Sequence, residues 1–189
     1  GHIGDKPYLD IIPFTREHVP QDLQNQLDSM PRKKVSDYLA FAREAFTQFH
    51  DRSGRIRFMV APSAPQRCTE ELMLAANELA QEWQAPFHTH IVETKVQGCS
   101  GDAMYGRSLM QYMSDLDLLH PWTTIAHSIW VSDADIELMG DAGVSIVHNV
   151  ISNQKLGAGI APIRKLLSAG VNVGLGTDGL ASNDTANMF

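Results

Sequence analysis

The chain has 189 residues, 43% of them hydrophobic, enough to bury a substantial core. Its formal charge of -7 argues against a nucleic-acid surface, which needs a basic patch, and no apolar run reaches the ~18–20 residues of a membrane span. Two cysteines are too few for a disulfide framework and no signal-peptide pattern opens the chain, so a cytoplasmic setting is expected.

Val35, Leu39, Ala42, Phe46 and Phe49 recur at helical spacing and predict a first amphipathic helix. Ile56-Arg57-Phe58-Met59-Val60 reads as a strand that ends at the turn-rich Pro62-Ser63-Ala64-Pro65. Thr69 is placed to cap a second helix, with Glu70 and Glu71 favourable near its positive end and Leu72, Ala76, Leu79 and Trp83 on one face. A strand over residues 87–92 leads to a helix carrying Leu109, Tyr112, Met113 and Leu116. The strand Thr123–His127 follows, then a capping-box start at Ser132 and Asp135 and a stop at Gly143. A strand over residues 144–147 passes through an irregular stretch to a helix begun by Pro162 and ended by Gly170, and Val171-Asn172-Val173 opens a last strand.

Strands alternating with helices imply an α/β fold with a parallel sheet, either a closed barrel or a doubly wound sheet. His90, His127, His148 and Asp178 each fall at the C-terminal end of a predicted strand. In a (β/α)8 barrel that rim is where catalytic groups from several strands converge. Four chemically suitable residues at equivalent points favour a site over core filling.

The chemistry follows from the residue types. A catalytic divalent metal takes imidazoles and carboxylates and keeps a position for water, which suits His90 and Asp178. Water on such a metal loses a proton near neutral pH, supplying hydroxide for attack on an electrophilic carbon. Glu93, three residues beyond His90, could carry the proton to the leaving group, and His127 could bond the attacking oxygen or the developing charge. Ser63, Gln66 and His148 are the candidate substrate contacts. His88 is expected to pack one layer below His90, Trp122 and Trp130 are read as packing, and Asn153 and Asn183 are expected to hold loops through backbone hydrogen bonds.

At these residues the sequence resembles a known family. His88-Thr89-His90-Ile91-Val92-Glu93-Thr94, Ala126-His127-Ser128, Gly176-Thr177-Asp178-Gly179 and the segment His148-Asn149-Val150-Ile151-Ser152-Asn153-Gln154-Lys155-Leu156 are similar to motifs of the amidohydrolase superfamily. The branch in question contains triazine hydrolases, guanine and cytosine deaminases and adenosine-type deaminases. The resemblance implies that His90 is the fifth-strand metal ligand and Glu93 the proton shuttle. It further implies that His127 is the sixth-strand substrate or water contact, and that Asp178 is the eighth-strand ligand and general base.

The family also uses a His-x-His pair after the first strand. His88-x-His90 looks like that pair, but Glu93 at the fifth-strand spacing and the three strand–helix steps to Asp178 place it later. The expectation is therefore a partial (β/α)8 TIM-like barrel, roughly strands four to eight, with residues 1–189 forming a single domain. The first strands and the family's small β-sandwich are expected to be absent, since a full barrel takes ~250 residues. Ser63 stands where many deaminases of the branch carry a histidine, and Val150 replaces a usual proline.

The function expected is metal-dependent deamination of a nitrogen heterocycle (purine, pterin, pyrimidine or triazine) by attack of metal-bound hydroxide. One divalent metal is expected, zinc first, with iron and manganese as alternatives. The partner is a small heterocyclic molecule rather than nucleic acid or membrane, and a homo-oligomer is left open. The alternatives are removal of halide or alkylamine from a triazine-type ring, or an inactive barrel fragment. With the first-strand pair missing, residues 1–189 alone are expected to hold metal poorly and turn over little. Gly174-Leu175-Gly176-Thr177-Asp178-Gly179 formally matches a dinucleotide-binding glycine pattern, but Asp178 would set a carboxylate against the pyrophosphate. A cytidine-deaminase zinc site needs Pro-Cys-x-x-Cys, which neither Cys68 nor Cys99 provides.

Overall fold

The computed structural model describes residues 4–12, 16–50, 54–183 and 187. The chain divides into two compact units, Gly1–His88 and Thr89–Phe189.

In the first unit lie α1 (Gln21–Asp28), α2 (Val35–Phe49) and α3 (Glu70–Trp83). Helix α2 forms where the apolar spacing predicts it, and Asp37 starts it by accepting the Lys34 N–H at 3.0 Å. Its Phe46 ring stacks on Trp83 of α3 with centroids 4.0 Å apart, and Phe58 meets both rings edge-on. Helix α3 buries Leu72, Met73, Ala76, Leu79 and Ala80. Thr69 caps it by accepting the Leu72 N–H at 3.2 Å, while its hydroxyl donates to Asp5 at 2.6 Å. The Thr69 backbone N–H donates to the other Asp5 oxygen at 2.7 Å. One side chain thus serves the helix end and the N-terminal segment. Thr69→Ala is expected to cost about 1–2 kcal/mol of stability, read as a shift in urea midpoint at constant slope.

The strand expected over Ile56–Val60 shrinks to one residue. Val60 bridges Phe87 in parallel, donating to Pro86 O at 3.0 Å and accepting from His88 N–H at 2.8 Å. Ile56 and Met59 are exposed. The β-branched and aromatic composition suits a strand, but only Val60 finds a ladder partner, and unpaired backbone does not hold a strand.

The sheet order is β1-β2-β3-β4, with β1 (Phe87–Ile91) running across the unit boundary, then β2 (Thr123–His127), β3 (Ser145–His148) and β4 (Asn172–Leu175). All strands run parallel; Ile125 pairs with Ile146, which pairs with Val173. Sequential strands lying side by side, each joined through helices, make this an α/β fold, a segment of a (β/α)8 barrel.

Between β1 and β2 the chain forms two helices, α4 (Lys95–Tyr105) and α5 (Leu109–Asp115), where one was expected. Few apolar residues mark α4, so periodicity misses it; Thr94 caps it by accepting the Gln97 N–H at 3.3 Å. A Cβ on its Gly101 would stand 2.8 Å from backbone atoms of Arg107 and Leu109, so glycine lets the two helices close up. Ser132 and Asp135 form the expected reciprocal box at the start of α6 (Asp133–Asp141). The irregular stretch contains a short helix, α7 (Val150–Lys155), ahead of α8 (Ile163–Ser168). Ile91, Leu109, Met110, Met113, Leu118, Ile125, Met139, Ile146 and Leu166 are the largest fully buried apolar side chains of the second unit among the described residues.

Candidate metal centre

Along β1 burial alternates, with Phe87, Thr89 and Ile91 buried and His88 and His90 half-buried, so the two histidines share a face as the pleat requires. Beyond Ile91 the chain turns abruptly. Val92 adopts φ +46°, a rare conformation for a β-branched residue. Its carbonyl accepts the N–H groups of Ile129 and Trp130 at 3.2 and 3.1 Å, which ties this turn to the loop after β2. Glu93 follows, its own N–H held by Gln97 Oε1 at 2.8 Å.

His127 ends β2 in a second strained turn. Its φ is +74°, and the Ser128 N–H returns to Ala126 O at 3.1 Å, the three-residue γ-turn of the rare left-handed kind. Strain of this sort persists where surrounding structure over-determines it, often at functional sites. Alternation alone would leave His127 on the side of Ile125; the turn ends the pleat, and the ring lies 5.5 Å from that of His90. His127 is fully buried, and its Nδ1 is 2.8 Å from Asn153 Oδ1.

Asp178, three residues past β4, also has positive φ, +61°, which aspartate tolerates. Each of its oxygens is held by a donor: Oδ2 by the Ser152 hydroxyl at 2.6 Å and Oδ1 by the Gly179 N–H at 2.7 Å. Burial pushes this carboxyl up, but the Ser152 hydroxyl, the Gly179 amide and the nearby His127 outweigh it and hold Asp178 below the usual carboxylate range. Just before it, a Cβ on Gly176 would strike Asn149 and Val147, so the loop reaches this position only because glycine precedes it.

Three donor atoms therefore converge at the C-terminal ends of the parallel strands. Ligand atoms of Glu93, His127 and Asp178 all lie within 4.8 Å of one another. His127 Nε2 is 4.0 Å from Glu93 Oε1 and 3.9 Å from Asp178 Oδ2. One imidazole and two carboxylates around a common point fit a divalent metal, which prefers nitrogen and oxygen donors held by further hydrogen bonds. His90, expected as a ligand, is outside this trio and stands beside it with its ring against His127.

His148 lies elsewhere. Alternation in β3 sets it with buried Ile146, and it lines a recess of about 350 Å³ with Pro162 and Arg164. Its Nδ1 is buried with no hydrogen-bond partner among the described residues, and burial lowers its pKa below the usual histidine value. A histidine kept neutral by burial costs nothing above its unfolded pKa, but stability falls as pH drops below it, because only the unfolded chain takes up the proton. Denaturation at pH 7.5 and pH 5.5 should show an acid loss that His148→Gln reduces. An unchanged acid loss would assign it to other groups.

Ser63 and Gln66 belong to the first unit, both buried, Gln66 in the short helix Pro65–Arg67 with its Oε1 lacking a partner among the described residues. Trp130 is half-exposed and donates its indole N–H to Ala158 O at 2.8 Å, in keeping with a packing role. Asn183 holds its loop as expected, donating to Thr177 O at 2.6 Å. Asn153 does not: its carboxamide is turned to His127. Sequence reading missed Asn153 and Ser152 as parts of the site, although their adjacency in one motif was a signal.

Glu93, His127 and Asp178 thus gather at the strand ends of a parallel α/β segment as a donor set that suits a divalent metal. Residues 13–189 match the Amidohydrolase family, and the chain belongs to it. It is 44% identical over 136 residues to the 5'-deoxyadenosine deaminase of Methanosarcina barkeri, an alignment covering 72% of this chain and 32% of that protein. It is 38% identical to the 5-methylthioadenosine/S-adenosylhomocysteine deaminase of Thermoanaerobacter pseudethanolicus, covering 78% of this chain and 34% of that one. Among solved structures, a zinc-bound adenosine deaminase of Xanthomonas campestris superposes with a TM-score of 0.78 at 32% identity, covering 83% of this chain and 36% of the other. The zinc complex of an Arthrobacter aurescens atrazine chlorohydrolase gives 0.77 at 27% identity, covering 85% and 36%. The chain thus spans about a third of the length of the relatives it matches. Among the described residues no helix is long and apolar enough to cross a membrane.

Proposed function

We propose that the chain contributes the C-terminal part of the barrel, and much of the active site, of a zinc-dependent deaminase acting on the adenine ring of 5'-modified nucleosides. The observation that carries this reading is the convergence of Glu93, His127 and Asp178 on one point. The named activities of the relatives, 34–44% identical among the 5'-deoxyadenosine deaminases, point to the ring. A cytoplasmic setting accords with Cys68 and Cys99, neither of which is in a disulfide.

The reaction exchanges an amino group for oxygen. Water oxygen ends on the ring carbon, one water proton passes to the adjacent ring nitrogen, and the other leaves with the amino group as ammonia. A divalent ion held by Asp178 and the neighbouring imidazoles would supply Lewis acidity and a water of lowered pKa. Glu93, anchored through its N–H to Gln97, carries the proton between water and ring. His127 Nε2, fixed between both carboxylates, contacts the attacking oxygen. Asp178, kept ionised by Ser152 and Gly179, accepts the remaining proton.

Fold similarity to a triazine hydrolase at a TM-score of 0.78 favours one second reading, displacement of halide from a triazine. The test is an assay of the intact gene product loaded with Zn2+, offered 5'-deoxyadenosine, S-adenosylhomocysteine, guanine and a chlorotriazine, with ammonia and chloride measured. Ammonia from the adenine nucleosides is the expected result. Chloride release alone would transfer the proposal to the second reading, and neither product would overturn both.

A further inference from the structure

We propose that Asn153 is a positioning residue that fixes the proton of His127 on Nδ1 and so turns the Nε2 lone pair toward Glu93 and Asp178. The proposal rests on the reading of this cluster as a metal-dependent hydrolytic centre, but its first test does not. Asn153 sits on α7, one residue after Ser152, and the two side chains diverge to different strand ends. Ser152 reaches Asp178 after β4, and Asn153 reaches His127 at the end of β2. A single turn of helix therefore holds two members of the cluster.

The chemistry of the contact selects the tautomer. Asn153 presents its Oδ1 to His127 Nδ1 at 2.8 Å, and a carboxamide oxygen can only accept. The ring nitrogen facing it must then carry the hydrogen. A neutral imidazole protonated at Nδ1 has its lone pair at Nε2, the atom 3.9 Å from Asp178 and 4.0 Å from Glu93. With the opposite tautomer, Nε2 would offer a hydrogen there and could neither accept a proton from water nor bind a metal.

Asn153 is 2% exposed, and its Nδ2 has no hydrogen-bond partner among the described residues. The one hydrogen bond of the carboxamide among the described residues is therefore the one to His127, and an apolar side chain in its place would leave the buried Nδ1 of His127 unpaired. The residue contributes through its oxygen, and the oxygen contributes through His127. Outer groups that orient a histidine in this way typically change metal affinity or activity by 10–100-fold when removed.

The experiment is in two arms. The chain is labelled with 15N-histidine, which gives only eight histidines to resolve, and long-range 1H–15N correlations are recorded without metal. His127, assigned by its loss in His127→Gln, should show the pattern of an Nδ1-protonated neutral ring. In Asn153→Leu that pattern should be lost or mixed. Asn153→Asp keeps an accepting oxygen and should restore the Nδ1–H pattern. In the intact gene product, turnover should fall about 10–100-fold in Asn153→Leu and recover at least half of that loss, on a logarithmic scale, in Asn153→Asp. A proton on Nε2 of His127 in the unsubstituted chain would overturn the proposal, as would an aspartate variant as impaired as the leucine one. If the intact protein turns over none of the substrates offered, the proposed function fails, whereas the tautomer measurement still decides this inference.

Discussion

In the intact gene product, Asp178→Asn is expected to strip the centre of its metal and of nearly all turnover. The substitution keeps the shape of the side chain but replaces one oxygen with an amide nitrogen that has no lone pair to offer. Both oxygens of Asp178 already receive hydrogen bonds, from Ser152 at 2.6 Å and from Gly179 at 2.7 Å. In the asparagine, an NH2 group facing Gly179 would set donor against donor, whereas the Ser152 hydroxyl can turn to accept it, so the amide nitrogen takes the Oδ2 position, the one that faces His127. The negative charge 3.9 Å from His127 is lost at the same time. We expect metal retained through gel filtration to drop at least tenfold, and turnover with saturating Zn2+ to drop by more than the ~10²-fold of a lost acid–base group, because ligand and base disappear together. Metal analysis and a rate measurement on the same preparation check this. Full metal with full rate would remove Asp178 from the centre.

What could be read from the sequence was what the chain settles locally. Thr69, Ser132 and Asp135 announce helix starts through side chains that bond backbone two or three residues away, and all three do so. The strands holding His90 and His127 are continuous runs that find neighbours in sequence order, the order of a barrel, which the alternation left open and the family resemblance implied. Ile56–Val60 has equal strand composition yet pairs through Val60 alone, because pairing depends on a partner that composition does not reveal.

The candidate site was legible as a set of residue types at strand ends and less so as geometry. A pleat counts side chains in twos, so His148 goes with Ile146 and lines a recess with Pro162. The same count would send His127 with Ile125, and only a left-handed turn at φ +74° breaks it. Backbone strain of that kind leaves no mark in hydrophobic periodicity. Val92, β-branched at φ +46°, would be the last residue chosen for such a turn, yet its carbonyl anchors the Ile129 and Trp130 amides and so couples the loop of Glu93 to that of His127. Asn153 and His127 are 26 residues apart, and nothing short of the assembled sheet brings them together.

In the intact gene product, Glu93→Gln is the substitution that separates proton transfer from metal binding. Glu93 is only partly covered, its side chain 20% exposed against 1% for His127, and its anchorage is through the backbone N–H to Gln97 rather than through the carboxylate. Its carboxylate is thus reachable by water and stands 4.0 Å from His127 Nε2, a position open to a proton carrier. Glutamine preserves volume and the Gln97 contact but cannot take up a proton. Turnover should fall by at least the ~10²-fold typical of lost acid–base catalysis, with substrate affinity little changed. Metal content is expected to remain near that of the parent protein, since Asp178 and the histidines would still hold the ion. The alternative is built into the same geometry, because Glu93 Oε1 stands 4.0 Å from His127 Nε2 and belongs to the trio of donors. If metal content falls in parallel with rate, Glu93 is a ligand. If both stay at the parent level, it has no part in the reaction. Only a large rate loss on a fully loaded protein assigns it the proton.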